Sequence, residues 1–383
     1  MFYILFYCAV YFIIGYYCLR RLVLEHLWSN FEGEHVLITG CDSGFGFRLA
    51  VKLAAKGVNV FAGVFTDDGR ERLEGQLEEL KAAGMKPGRI MCHQLDITKD
   101  ESVEKMKTTV QTYLNSIGKD LWGLVNNAGV FTVHGPDDWC SVNDYEKSLN
   151  VNTLGAIRVT HAFLPLVKKA KGRVVTMGSS AGRLHGLLEM RQFGVSVHLI
   201  EPGAFKTELL NDAPQRERVN RAWKALPEET RLEYGEQYKS DFQTAWQMGV
   251  NVVANKNIDW VVDSYIHALF GYWPRLRYVP GWDAMFMFIP ISVLPTSIQD
   301  WILCFLYMFH PGPKLVPDSI KRRAEEERQK ELKKTGKHIN IFLHMALAPI
   351  FFAVYTFSSF LFVSKTTKNS IIQPQNSTIN IQS

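Results

Sequence analysis

The chain is poor in cysteine, and the cysteines it has are badly spaced for cross-linking or metal binding. Cys8, Cys18, Cys41, Cys92, Cys140 and Cys304 form no C-x-x-C pair in 383 residues, and the first two fall in an apolar N-terminal segment. That spacing supports neither a disulfide framework nor a zinc site, and it makes a reducing compartment the default. None of the eleven histidines has another four residues away, so a helical two-histidine metal clasp is lacking and no metal site is expected. Excess charge is scarce too. The formal net charge is +5, most of it from one basic run near the C-terminus, which leaves no case for a nucleic-acid partner.

Charge is absent altogether from MFYILFYCAVYFIIGYYCL, residues 1–19, and Arg20 and Arg21 follow directly. An apolar run of this length can span a bilayer. It has no basic leading region and no small-x-small cleavage site, which argues against a cleaved signal peptide. A second span is expected at 339–363, INIFLHMALAPIFFAVYTFSSFLFV, although His344 and Pro349 interrupt it. It follows the charged stretch 321–338, in which Glu is mixed with Lys and Arg as in a solvated helix. Eight Lys or Arg residues precede this span and two, Lys365 and Lys368, follow it. The positive-inside bias then puts residues 20–338 in the cytosol and both termini in the lumen. The polar tail 364–383 carries the sequon Asn376-Ser377-Thr378, which would be lumenal. The endoplasmic reticulum membrane is the expected location, with a mitochondrial membrane as the alternative.

Between these ends, short apolar strands alternate with amphipathic helices. HVLITG (35–40), NVFAGV (59–64), RIMCHQLD (89–96) and LWGLVNNAG (121–129) read as strands. The intervening helices bury Leu73, Leu77 and Leu80 in one case, and Val103, Met106 and Val110 in another. A further long helix starts at a capping box, Ser141-x-x-Asp144. Repeated β-α-β units with apolar strands imply a Rossmann-type doubly wound α/β fold, a parallel sheet covered by helices on both faces.

The turn after the first strand reads TGCDSGFG, with Gly40, Gly44 and Gly46. Glycines there let a phosphate approach a helix N-terminus, although the G-x-x-x-G-x-G spacing differs from G-x-G-x-x-G. Asp96, placed at the end of the third strand, could reach an adenine amino group. Asn126-Asn127-Ala128-Gly129 ends the fourth strand, and Pro202-Gly203 with Thr207 follows a later one. All lie at the strand ends where open α/β sheets bind ligands.

TGCDSGFG, LDIT, NNAG, LNVNTLG, the Ser179-x-x-Gly182 turn and EPGAFKT occur in the order of the short-chain dehydrogenase/reductase motifs, and the chain resembles that family over about residues 33–310. WKALPEETRLEYGEQY (223–238) and RYVPGWDA (277–284) are similar to its membrane-bound branch of retinol, hydroxysteroid and 3-hydroxybutyrate dehydrogenases. The resemblance implies NAD(P)-dependent interconversion of an apolar secondary or allylic alcohol and its carbonyl. It implies a dinucleotide site at Thr39, Gly40, Ser43, Gly44, Phe45, Gly46, Asp96, Ile97, Asn126, Ala128, Gly129, Pro202, Gly203 and Thr207. It also implies a homodimer. Val64 occupies the position that usually discriminates the cofactors, and no Lys or Arg appears before Arg70. NAD is therefore favoured over NADP, with Asp67 or Asp68 as candidates to reach the ribose. Residues 204–310 form the substrate region, whose aromatics (Trp223, Trp246, Trp260, Trp273, Trp282, Phe286, Phe288) suit an apolar ligand or ordinary packing. The segment 285–309 reads as a membrane-facing entrance.

By the same resemblance Ser179 holds the substrate oxygen and Asn152 organises water, while a Tyr with Lys four residues on moves the proton. A free phenol titrates near ~10 and needs such a cation to act at neutral pH. The expected positions hold Gln192 and Ser196, and none of the fourteen tyrosines has Lys four residues on. Only fourteen residues separate GRVVTMGSS (172–180) from VSVHLIEPG (195–203). A β-α-β unit takes roughly 30 residues or more, and a parallel crossover at least about a dozen. Against the family it resembles, about thirty residues are absent between Leu184 and Arg191, which reads as a deletion removing the helix between the fifth and sixth strands. That helix carries the catalytic pair and, in the family, much of the dimer interface. Three readings stay open: an exon-skipped or mis-assembled product of an active dehydrogenase gene, a dinucleotide-binding pseudoenzyme, and a structural membrane protein.

Overall fold

A computed structural model of the chain describes residues 2–132, 135–178 and 193–335; the side chains of residues 2–10, 13 and 331–335 are outside that description. Ser179 and Gln192, the whole segment proposed as a deletion point, and the expected span 339–363 therefore lie outside the described residues.

The chain opens with helix α1 (Phe2–Leu22). There follow β1 (His35–Thr39), α2 (Gly44–Ala55), β2 (Asn59–Val64), α3 (Asp67–Ala82), β3 (Ile90–Gln94), α4 (Asp100–Ile117) and β4 (Gly123–Asn126). Next come α5 (Val142–Leu149), a π-helical turn (Asn150–Gly155), α6 (Ala156–Ala170), β5 (Arg173–Met177) and β6 (Ser196–Ile200). Then α7 (Asp212–Ala225), α8 (Glu228–Tyr234), α9 (Glu236–Val253), α10 (Asp259–Phe270), β7 (Arg277–Tyr278), α11 (Ile289–Ser292) and α12 (Thr296–Met308) complete a unit that ends at Pro317. A second unit begins at Asp318, and its described part is α13 (Asp318–Thr335). Of the charged stretch 321–338 expected to be helical, 321–335 lies within α13 and 336–338 lie outside the described residues.

The seven strands form one sheet in the order β3-β2-β1-β4-β5-β6-β7. Every pairing is parallel. The order reverses between β1 and β4, which opens a crevice at the C-terminal ends of those strands. The central strands β1, β2 and β4 are buried on both faces because helices cover both. One core contains Val36, Ile38, Ala62, Val125 and Val175 under α2 and α10; the other contains Leu37, Phe61, Leu124 and Val174 under α4 and α6. A third cluster, Trp139, Val219, Trp223, Leu226 and Tyr238, holds α7 and α9 together.

Several local signals act as the sequence proposes. Ser141 and Asp144 form the capping box of α5. Gly118 ends α4 in the left-handed region, at φ 62°. Two boundaries are shorter than expected, since β3 stops at Gln94 and β4 starts at Gly123. Asp96 is therefore beyond the third strand rather than at its end. The cause is local: Asp96 turns the chain by accepting from the Thr98 N–H (2.9 Å) and hydroxyl (2.6 Å), which removes it from the ladder.

Two strands flank the undescribed segment, β5 and β6, and they pair over five residues, from Arg173 with Ser196 to Met177 with Ile200. Burial on β6 is one-sided. His198 and Ile200 are fully buried toward α10, whereas Val197 and Leu199 on the opposite face are only half-buried. As for the expected anchors, no helix among the described residues is long and apolar enough to cross a membrane. α1 nevertheless runs for 21 residues and ends at Arg20 and Arg21, with Tyr11, Phe12, Ile14, Tyr16, Tyr17 and Leu19 exposed.

Candidate functional site

The crevice is built around the turn from β1 into α2. Gly40 (φ 70°) and Gly44 (φ 60°) take the left-handed conformation that L side chains rarely adopt. A Cβ on Gly40 would stand 2.7 Å from Ala128 Cα, and one on Gly46 would stand 2.3 Å from the Gly40 carbonyl oxygen. Two of the three glycines thus let the turn close on itself and on the end of β4. At Gly44, by contrast, a Cβ would meet only the Thr207 side chain, at 3.7 Å. The surface above Gly44 is the open one.

Ser43 occupies the N-cap of α2 and makes no side-chain capping bond. The amides of the first helical turn are thus left without a side-chain cap, next to a glycine with no side chain, in the arrangement that accepts a phosphate. These residues fit a dinucleotide pyrophosphate.

The end of β4 is tied to the same turn. Thr39 Oγ1 accepts from the N–H groups of Asn127 (3.1 Å) and Ala128 (3.0 Å). Asn127 Nδ2 donates to the carbonyls of Thr39 and Gly40, each at 3.0 Å. The hydroxyl of Tyr265 on α10, fully buried, donates to Asn127 Oδ1 at 3.2 Å. Burial pushes the Tyr265 hydroxyl well above the usual phenol range, so it stays a donor. Asn127 and Tyr265 are absent from the set named by motif, although Asn127 sits inside NNAG; only the tertiary contact shows that it is the clamp.

Asn126, which the motif assigns to the cofactor, faces the other way. Its side chain is buried between the sheet and α6, where Nδ2 donates to Thr160 Oγ1 (2.8 Å) and Thr176 Oγ1 (3.4 Å). The alternation of a strand explains this, since Leu124 and Asn126 share one face and Asn127 follows beyond the strand.

Asn152 lies in the π-helical turn between α5 and α6. It uses both amide atoms on one residue, accepting from Val130 N–H (2.8 Å) and donating to Val130 C=O (2.9 Å). Gly129 lies against it, with room for a Cβ only at 3.3 Å from Asn152 Oδ1. A π-turn frequently marks a functional position in a helix. Here it presents Asn152 to the loop that leaves β4. Ser179, its companion by motif, is outside the described residues.

At the far end of the crevice, partial burial works against ionisation of Asp96, but its bonds from Thr98 and its contact with Lys99 (3.5 Å) keep the carboxyl below the usual carboxylate range. Ile97 is buried, its carbonyl accepts from Arg158 at 2.7 Å, and Gly155 makes room for its side chain. Asp67 and Asp68, candidates for the ribose, face arginines of their own helix, Arg70 at 3.9 Å and Arg72 at 3.0 Å.

The loop after β6 closes over the turn. Phe45 packs edge-on against Phe205, with ring centroids 5.8 Å apart. Gly203 donates its N–H to the Pro280 carbonyl at 2.9 Å, and a Cβ there would stand 1.9 Å from Asp283 Oδ1. Asp283 is fully buried, and its Oδ2 accepts from Ala204 N–H at 2.6 Å. It is a third residue missed by the sequence reading, which used RYVPGWDA only as a mark of resemblance. Pro202 and Thr207 flank this loop, with Thr207 above Gly44. The sheet thus brings the glycine turn, the end of β4 and the loop after β6 together, while Asn126 and Ile97 support them from inside.

The chain is similar to known proteins of one family. A family model described as short chain dehydrogenase matches residues 34–188. The 3beta-hydroxysteroid dehydrogenase dhs-16 of Caenorhabditis elegans is 50% identical over 384 residues, covering 95% of this chain and 94% of that protein. The 17-beta-hydroxysteroid dehydrogenase type 6 of Bos taurus is 36% identical over 307 residues, covering 75% and 93%. Retinol dehydrogenase 7 of Rattus norvegicus is 36% identical over 311 residues, covering 76% and 94%. The nematode alignment is longer than this chain while covering only 95% of it, so it contains positions at which this chain has no residue.

Proposed function

The chain belongs to the short-chain dehydrogenase/reductase family, with relatives named as hydroxysteroid and retinol dehydrogenases, oxidoreductases that act on CH–OH groups, and from that premise we propose a chain that keeps the family's dinucleotide site but has lost its proton-transfer pair. The parent activity is the NAD(P)-dependent interconversion of an apolar alcohol, retinoid- or hydroxysteroid-like, and its carbonyl. The family fold binds NAD(P), and the bound dinucleotide supplies the hydride acceptor or donor.

The residues of this chain then have separate duties. Gly44 and the first turn of α2 take the pyrophosphate; Asp96 and Ile97 border the adenine; Pro202, Gly203 and Thr207 close the nicotinamide end. Asn152, held on Val130, belongs by motif with Ser179 to the catalytic set. The observation that carries this reading is the complete clamp of Thr39, Asn127 and Thr207 around Gly40 and Gly44 in a chain without a single Tyr-x-x-x-Lys. An undamaged cofactor half beside a missing pair argues for the loss of one block rather than slow decay.

α1 is proposed as a membrane anchor. Residues 1–19 carry no charged side chain, and the Arg21 guanidinium lies 5.4 Å from the Tyr17 ring centroid where the apolar run ends. Residues 20–338 then face the cytosol, at the endoplasmic reticulum or, as the alternative, at mitochondria. The family's homodimer would lack its usual interface helix.

The test has two arms. Sequencing transcripts across codons 184–193 should find a longer form that restores Tyr-x-x-x-Lys. Purified chain of this sequence should show no NAD(H)-linked turnover of retinol, hydroxysteroid or 3-hydroxybutyrate above a Ser179→Ala control. Finding only the short form, with no skipped coding block in the genomic DNA, favours the pseudoenzyme. Turnover well above the control refutes the loss of activity.

A further inference from the structure

The end of β2 lacks the acid that usually pairs the adenosine ribose, because Val64 is buried there and Phe65 and Thr66 follow. A carboxylate reaches the same corner from another direction. Asp42, within the glycine-rich turn, accepts at Oδ1 from Thr66 N–H (2.7 Å), Phe65 N–H (2.9 Å) and the Thr66 hydroxyl (2.8 Å). Oδ2 shares only the Phe65 N–H, at 2.9 Å. The carboxylate is therefore fixed through one oxygen, and the other keeps accepting capacity.

The first turn of α3 is shaped around it. A Cβ on Gly69 would stand 2.7 Å from Asp42 Oδ1 and 2.9 Å from Asp42 Cα. The arginine that comes to this corner, Arg72, is already occupied. It donates to the Asp42 carbonyl (2.9 Å) and pairs with Asp68 (3.0 Å) and Glu208 (3.4 Å). Arg70 pairs with Asp67 and sits by Cys92 and His93 of β3.

We propose that Asp42 is the residue that selects the cofactor, its carboxylate accepting the ribose 2′-hydroxyl and repelling a 2′-phosphate, so that this chain takes NAD(H) and rejects NADP(H). A phosphomonoester carries about −1.5 to −2 charges at neutral pH. Placed against a fixed carboxylate whose nearest guanidinium is spent on two other acids, it is opposed by like charge and gains no compensating cation. A hydroxyl finds an oriented acceptor instead. The inference rests on the proposed dinucleotide site.

The experiment is calorimetric binding of NADH and NADPH to the full chain in detergent, which needs no turnover. NADH should bind at least about tenfold tighter. Asp42→Asn and Asp42→Ser should each cut that preference at least about tenfold, mostly by tightening NADPH, while Thr66→Ala, which leaves the carboxylate in place, should keep it. The Ser variant stands in where the Asn variant fails to fold. Equal affinities in the wild-type chain, or an unchanged ratio when both affinities fall in the Asp42 variants, would overturn the role of Asp42. Binding of neither dinucleotide overturns the dinucleotide site itself.

Discussion

Thr39 and Asn127 hold each other across the crevice: the Thr39 hydroxyl accepts from the Asn127 N–H at 3.1 Å, and the Asn127 amide donates back to the Thr39 carbonyl at 3.0 Å. Two strand ends that reach the crevice from opposite halves of the fold are thereby locked in register. In the proposed dinucleotide site these bonds form on folding, so ordering the glycine turn is part of folding rather than a cost of binding.

Removing that lock should be expensive. Asn127→Ala leaves the buried Tyr265 hydroxyl and two backbone carbonyls without their partner, at about 2–3 kcal/mol. Urea unfolding should show the midpoint lowered by that amount, with weaker NADH binding alongside. An unchanged midpoint would mean that water replaces the amide without loss.

Two glycines should respond with opposite signs. Gly203→Ala places a Cβ 1.9 Å from Oδ1 of the fully buried Asp283, so the loop after β6 must shift, and the expected cost is about 3 kcal/mol. Gly75 lies within α3 with nothing within 4 Å of its Cβ direction, so Gly75→Ala should raise stability by about 0.5–1 kcal/mol. Thermal unfolding of the two variants beside the parent checks both signs.

Acid should weaken the fold in a definite window. Burial, with help from the nearby charges of Arg173 and His267, brings His198 down to about 4 against the pull of its bond to the Arg275 carbonyl. The unfolded chain binds this proton near pH ~6.5 and the folded one only near 4. The stability is thus fully present above about 6.5 and is lost as pH falls toward 4, on the order of 3 kcal/mol for this one group. Burial also lowers His35, His93 and His267, which act in the same direction. Unfolding midpoints at pH 7.5 and 5 should differ accordingly, and His198→Gln should flatten the slope.

The anchor can be checked apart from the folded domain. Residues 1–30 fused to a soluble reporter should stay with membranes through alkaline carbonate extraction, and a fusion beginning at residue 20 should not. Release of both would remove α1 as an anchor.

The sequence by itself determined the alternation of strand and helix, the parallel sheet, the glycine turn and the missing Tyr-x-x-x-Lys. These are written in local patterns: apolar strands, capping boxes, glycines at positive φ, and spacings that can be counted. The tertiary structure decided which side chains do the holding. Asn126 and Asn127 are neighbours of the same type, yet strand alternation sends one into the core beside Thr160 and the other onto the turn. Asp42 and Thr66 are 24 residues apart, and Ala204 and Asp283 are 79 apart, so only the closing of the sheet puts each carboxylate against its backbone amide. Spacing along a chain reveals what a segment can become; contacts between segments depend on where the fold brings them, and at this site those contacts set the shape of the crevice.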